Sequence, residues 1–295
     1  MASRPSFVAG YLIVSLVLAT GLLAPWLAPH SPVDSDAGAY LLPPSWAHPM
    51  GTDAAGLDVL SRVLFAPRVD LLIALLSTGL AAAVGGAIGA ALGLWEGRGG
   101  LRGALAATAM RVADVVQAFP VFALALVLVA VLGQGVLSIV LATGIVNVPV
   151  FLRVMRTQVL ALRGQPFVES AVVSGASDFY LLHRHLIPNA IAPLLAQMAI
   201  NIGAAVLLTA GLSFLGAGVR APTPEWGSMI AMGFANVVTG QWWPSLFPGA
   251  ALALTLLGFG LVGNSIEAYA DPRQRTRPSP AAWRRFIAAR SAPAA

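Results

Sequence analysis

Side chains able to do chemistry are few in this chain, and their spacing is poor for it. Four histidines are present. His30 and His48 fall in one loop; His183 and His185 fall in another, two residues apart, which turns them to different sides of a helix. That pair leaves metal binding open, but solvated loop histidines are the preferred reading. Ser213 has a nucleophile's side chain, yet no histidine lies in an apolar run to act as its base. No HExxH pattern occurs, and no pair of aspartates falls inside an apolar run. Cysteine is absent, which excludes disulfides, thiolate ligands and thiolate nucleophiles. All 17 basic residues are arginine. Without lysine there is no Schiff-base chemistry and no standard Walker A loop, whose lysine must reach the β- and γ-phosphates. No catalytic residue, no metal ligand and no cofactor bound by the chain itself is predicted.

The elements that carry these residues are set by composition. Hydrophobic residues make up 58% of the chain and charged residues 10%, against roughly 25% charged in a soluble domain. A chain so poor in charge cannot cover its own surface, so lipid must solvate part of it. A bilayer-spanning helix needs about 20 mostly apolar residues. Charge-free runs place spans at 7–28, 71–95, within 115–152, within 189–219 and at 245–266. The run 115–152 is too long for one span and breaks at Gly133, Gln134 and Gly135 into a third and a fourth. The run 226–266 is interrupted at Gln241, Trp242, Trp243 and Pro244; its first part, 227–240, is too short to cross and is expected to be interfacial or re-entrant. The result is an all-α membrane protein of about six helices. The apolar core of the first run is longer than that of a cleaved signal peptide, so it is expected to be retained.

With the N-terminus inside, the inner segments hold 14 of the arginines and the outer ones only Arg62, Arg68 and Arg220, a strong positive-inside bias. Both termini are therefore expected in the cytoplasm. Trp26, Trp95, Trp242 and Trp243 fall near span ends, as an aromatic belt would. Gly85, Gly89 and Gly93 share one helix face and are expected to pack a neighbouring helix closely. Ionisable groups at membrane depth are nearly absent: Asp70, Asp114 and Glu267 sit at span ends, and Asn147, Gln197, Asn201 and Asn264 are neutral. A transporter driven by an ion gradient ordinarily keeps such groups, so the chain reads as a conduit powered from elsewhere. A stand-alone secondary transporter is the alternative of a different class.

The loop between spans four and five, 164–189, is the most informative. Residues 168–174 can form a short helix that Gly175 ends in the left-handed conformation. Ser177 or Asp178 can cap a second helix, on which Phe179, Leu182 and Leu186 form an apolar stripe until Pro188 stops it. An apolar stripe outside the membrane needs a cover, either a partner's groove or the bilayer surface.

This loop resembles the EAA loop of ABC importer permeases: Glu-Ala-Ala, three residues, Gly, nine residues, then Ile-x-Leu-Pro. Glu169, Ala171, Gly175 and Pro188 stand at matching spacing; Ser170 replaces an alanine, and His185 and Ile187 stand where Ile and Leu are usual. His48, Pro49, Met50, Gly51, Thr52 and Asp53, with Asp58 to Arg62, resemble a block of the dipeptide, oligopeptide and nickel permeases, with Leu57 in place of an arginine. Arg111 to Asp114 with Phe119 and Pro120, Leu212 to Gly216 with Pro224 to Gly227, and Ala270 to Arg273 are similar in the same order. Read physically, these blocks also suit plainer roles: Gly51 to Asp53 a turn and cap before a surface helix, Phe119 and Pro120 a kink in a span, and Pro224 to Gly227 an interfacial loop with an aromatic anchor.

The resemblance implies a type I importer bundle: a first helix over 1–30, an external loop with an amphipathic segment over 31–68, a core over 69–268, and a basic cytoplasmic tail over 269–295 that anchors to lipid. It implies a bacterial inner-membrane permease for peptides, or for nickel chelates or another small solute. It further implies a homologous second permease, two cytoplasmic ATPases that carry ATP and Mg, and an external substrate-binding protein, with no nucleic acid. Glu169, Ser170, Ala171, Gly175, Phe179, Tyr180, Leu182 and Pro188 would form the ATPase-coupling loop. The substrate contacts stay unassigned.

Overall fold

The computed structural model describes residues 5–270, and the basic tail with its arginines lies outside the described residues. Among the described residues, five helices are long and apolar enough to cross a membrane: α1 (Pro5–Leu27), α3 (Pro67–Trp95) with the short α2 (Val59–Phe65) leading into it, α6 (Val136–Arg163), α9 (Ile187–Phe214) and α11 (Trp243–Ala270). A sixth span exists if α4 (Gly100–Ala118) and α5 (Val121–Leu132) are counted together, and these meet at 94°. Between α6 and α9 come α7 (Pro166–Val173), α8 (Asp178–Tyr180) and a π-helical turn, Leu181–Leu186. The last short helix is α10 (Trp226–Val237).

The third span differs from the sequence expectation. Phe119 and Pro120 do not merely kink it. Phe119 is extended (ψ 141°) and Pro120 stands at the start of α5, because proline drives its predecessor out of the helical region and offers no N–H to continue the ladder. The chain therefore turns a corner. Alone, α5 is about 18 Å long, well short of a roughly 30 Å hydrocarbon core. The expected break at Gly133 and Gly135 is present, both glycines having positive φ.

The closest helix pair is α3 against α6. A Cβ at Gly85 or Gly89 would collide with the carbonyl oxygens of Val148 and Leu152, and one at Gly93 would lie 2.8 Å from that of Arg156. Small residues every four positions on α3 thus meet backbone every four positions on α6, which is helix packing inside the bundle. Between these helices and α9 runs a short polar ladder. Thr78 donates to the Asn201 side chain (3.1 Å), whose amide donates to Asn147 (2.9 Å). In a dry setting such bonds hold helices together because the groups have no water to turn to. Helix α1 packs on α11 and leaves Leu12, Leu16 and Leu22 outward, as a lipid-facing helix would.

The two ends of the bundle are built differently. One, the loop end, carries residues 28–66 and 215–242. The other is rich in arginine: Arg98, Arg102, Arg153, Arg156, Arg163 and Arg184. At the loop end the block before α2 is folded into the core. Asp53 accepts from the N–H groups of Ala55 and Leu57 (2.8 and 3.0 Å), and Asp58 caps α2 through Ser61 N–H at 2.8 Å. The turn and cap are as expected, but α2 is not a surface helix, since Val59, Ser61, Arg62 and Val63 are all buried. Trp226 is 1% exposed and donates from Nε1 to the Val63 carbonyl. Trp243 is also buried and donates to the Thr52 carbonyl at 3.0 Å. Trp226 is therefore a core wedge rather than an interfacial anchor, and Trp243 does not belong to an aromatic belt; Trp26 and Trp242 stay exposed. Hydropathy alone cannot tell a tryptophan at a lipid surface from one under a folded loop.

Candidate functional site

The loop of 164–189 lies at the arginine-rich end. Pro166 opens α7 at a position where its missing N–H costs nothing, and Glu169 stands in the first turn, where the helix dipole favours a carboxylate. The hydroxyl of Ser170 donates to the Pro166 carbonyl at 2.8 Å. The helix ends in a Schellman arrangement: Ala176 N–H donates to the Ala171 carbonyl (3.0 Å) and Gly175 N–H to that of Val172 (2.9 Å). Gly175 has φ +81°, and no atom lies within 4 Å of where its Cβ would be. Backbone conformation, not space, therefore demands glycine there.

Ser177 caps the next segment by accepting from Tyr180 N–H at 3.3 Å. Asp178 is held from the other side by Arg98 and Arg102, each 2.7 Å from its Oδ2. These two arginines flank the start of α4, so the ion pairs tie the loop to the α3–α4 corner. Sequence reading counted both arginines only as inner-side charge and Asp178 only as a cap, because no spacing links residues some eighty positions apart. Farther up α6, Arg156 pairs with Glu96 at the same corner, and Arg153 with Asp114 near the far end of α4.

Pro188 does not stop the second helix. The helix runs from Asp178 to Phe214 without interruption. The turn of Leu181–Leu186 widens to π geometry, and Ile187 N–H reaches back to the Leu182 carbonyl. Pro188 follows directly on this widened turn, inside the continuous helix, and the Asn189 side chain donates to the His185 carbonyl at 2.6 Å. The widened turn also redraws the apolar stripe. Leu181 and Leu186, five apart, are buried (2% and 0% exposed) with Val168 in a core that includes Phe151, Met155 and Val159. Leu182 is partly buried against that core, whereas Phe179 is 70% exposed. The stripe of Phe179, Leu182 and Leu186 is thus split between an inner anchor and an outward face.

That outward face consists of Val172, Val173, Phe179 and Tyr180, all exposed. Glu169, Ser170 and Gly175 are exposed near it, and Gly175, Ser177, Tyr180 and His185 line an open cleft between α7 and α8. His183 stacks on Phe179 with centroids 4.0 Å apart, and His185 meets Tyr180 edge-on. The two imidazoles diverge, as their spacing predicts. The arrangement presents a rigidly backed apolar knob beside charged groups.

The chain is similar to known proteins over most of its length. The family model for the binding-protein-dependent transport system inner membrane component matches residues 85–276, from the middle of α3 past the end of α11. The chain is 38% identical over 273 residues to the probable D,D-dipeptide transport system permease protein DdpC of Escherichia coli (strain K12), covering 92% of this chain and 89% of that protein. It is 34% identical to the di/tripeptide transport system permease protein DppC of Pseudomonas aeruginosa (strain UCBPP-PA14), over 90% of this chain and 87% of the relative. It is 37% identical to the glutathione transport system permease protein GsiD of Escherichia coli O1:K1 / APEC, over 89% and 84%. A bundle of apolar helices with this loop order, matched over most of its length, is a multi-pass inner-membrane protein and a transport component rather than an enzyme: the chain belongs to the family of binding-protein-dependent transport system inner membrane components.

Proposed function

We propose that the chain is one permease subunit of an ATP-binding cassette importer of short peptides, that it forms half of the path through the membrane, and that it is driven through the loop of 164–189. The relatives are named for D,D-dipeptides, di- and tripeptides and glutathione, which favours peptide cargo over a nickel chelate. The observation that supports the coupling role is the exposed set of Val173, Phe179 and Tyr180 on a loop whose turn between α7 and α8 is capped on both sides. Exposed apolar side chains on a rigid base suit a partner's groove.

In this reading a homologous permease completes the path, two cytoplasmic ATPases hold ATP and Mg, and an external binding protein delivers cargo. Closure of the ATPases around ATP displaces the loop. The helix of 178–214 is continuous, and Asp178 is tied to the α3–α4 corner, so the displacement reaches α9 and α4 together and turns the cavity from one side to the other. The arginine-rich end and both termini face the cytoplasm.

The absence of cysteine makes the test clean. A single cysteine at Phe179 should crosslink to an ATPase subunit in membranes, and ATP should change the yield. A cysteine at Trp46 should be labelled only from outside. An inserted protein with no crosslink to any ATPase would sink the coupling role, and a Trp46 cysteine labelled only from inside would invert the topology.

A further inference from the structure

At the loop end three side chains from separate stretches converge on one point. His30 follows α1, His48 lies in the block before α2, and Asp58 caps α2. One oxygen of Asp58 is already committed: Oδ2 accepts from Ser61 N–H at 2.8 Å and from the Ser61 hydroxyl at 2.7 Å. That leaves Oδ1 facing two imidazoles, with His48 Nδ1 at 2.9 Å and His30 Nδ1 at 3.7 Å. The rings stack with centroids 4.6 Å apart and 28° between their planes, and the three donor atoms all lie within 4.8 Å of one another.

A hydrogen bond accounts for the His48 ring. The backbone N–H of His30 donates to the Ser61 hydroxyl at 3.1 Å and places that residue beside Asp58, but its ring Nδ1, 3.7 Å from the same carboxylate oxygen, stands beyond hydrogen-bond reach. A cation accounts for both. With metal–ligand distances of about 2.0–2.1 Å, a tetrahedral site has donor–donor edges of roughly 3.3 Å; the two edges given above lie on either side of that value. The carboxylate is 1% exposed and oriented by Ser61, the outer-shell support that ligands usually have. His30 is 43% exposed, so its ring can turn to close the longer edge and a fourth position faces water. Two imidazoles with one carboxylate and no thiolate suit zinc, nickel or copper better than magnesium or calcium. We propose that His30, His48 and Asp58 bind a divalent first-row transition cation, which clips the segment after α1 to the start of α2. The site lies at the loop end, away from the loop of 164–189, and so is independent of the coupling role.

The test uses the full-length permease purified with its partner subunits through a tag free of histidine, stripped with chelator and loaded with Co²⁺ or Zn²⁺. The proposal expects one metal equivalent that survives gel filtration and gives the visible absorption of tetrahedral Co²⁺. His30→Gln should weaken it by at least about tenfold and Ser61→Ala by less. His183→Gln with His185→Gln should leave it unchanged. His30 is exposed enough for its variant to fold, and unchanged co-purification checks this. No retained metal, or metal retained equally by His30→Gln and His48→Gln, overturns the proposal.

Discussion

The block of 28–66 and the loop of 164–189 are both connections between apolar spans, and both carry short motifs, yet they use their residues in opposite ways. The first turns Thr52, Asp53, Asp58, Ser61 and Arg62 inward. Arg62 is 0% exposed, and its Nη1 donates to the carbonyls of Pro32 (2.9 Å) and Pro222 (3.0 Å), with Asp53 3.8 Å from Nε. One guanidinium thereby ties together the segment after α1, the block before α2 and the turn before α10. The second region satisfies its backbone internally and turns apolar side chains outward. One motif can thus serve folding through its buried charges, and another can offer a contact through its exposed apolar side chains. What separates them is which groups are left without a partner inside the chain.

The contrast can be broken at either end. Arg62→Ala should have the largest effect on the permease itself. It leaves the Pro32 and Pro222 carbonyls without a donor and Asp53 without its countercharge, at about 3 kcal/mol, and should lower the unfolding midpoint in detergent and the yield in membranes. A variant as stable as the parent would show that the block is not held by its buried polar bonds. Next comes Gly175→Val. The left-handed backbone costs a branched residue about 1–2 kcal/mol, so α7 should lose its Schellman end and uptake should uncouple from ATP hydrolysis while the protein stays in the membrane. Gly175→Asn should recover most of the loss; equal uptake in the valine variant would remove the glycine from the mechanism.

Asp178→Asn should move stability little, because its arginine partners are well exposed and such pairs are worth up to about 1 kcal/mol. Its signature is elsewhere: ATPase activity that continues while uptake falls, with a double-mutant cycle against Arg102 showing the coupling. Phe179→Ser should change stability least, within about 0.5 kcal/mol for an exposed site, yet release the ATPase subunits during co-purification. Retention of the ATPase in that variant would erase the distinction between the two regions.

Much of this was readable before any coordinates. Charge-free runs locate the long helices because a membrane helix must be apolar over its whole length. Gly175 is legible because a positive φ strongly favours glycine. Glycines at 85, 89 and 93 predict a close helix contact, though not that α6 makes it. Other features were read wrongly for one shared reason. Pro188 breaks an isolated helix, but here Leu181 and Leu186 are drawn into the core, the turn widens, and the helix runs on through the proline. Phe119 and Pro120 signal a bend without giving its angle. Trp226 and Trp243 look like surface aromatics until the 28–66 block folds over them.

The sequence by itself determined the class of molecule: apolar runs of membrane length, an arginine bias toward one side, no lysine for a nucleotide loop, and a glycine-turned loop at the spacing of a permease family. These depend on composition and on nearby residues, whose physics is local. Only the tertiary structure decided which side chains are hidden. It buried Arg62 and exposed Phe179, set Asp178 between two distant arginines, carried one helix through Pro188, and brought His30 to His48 and Asp58. Each of these depends on residues far apart in the chain, and burial becomes defined only when the helices pack.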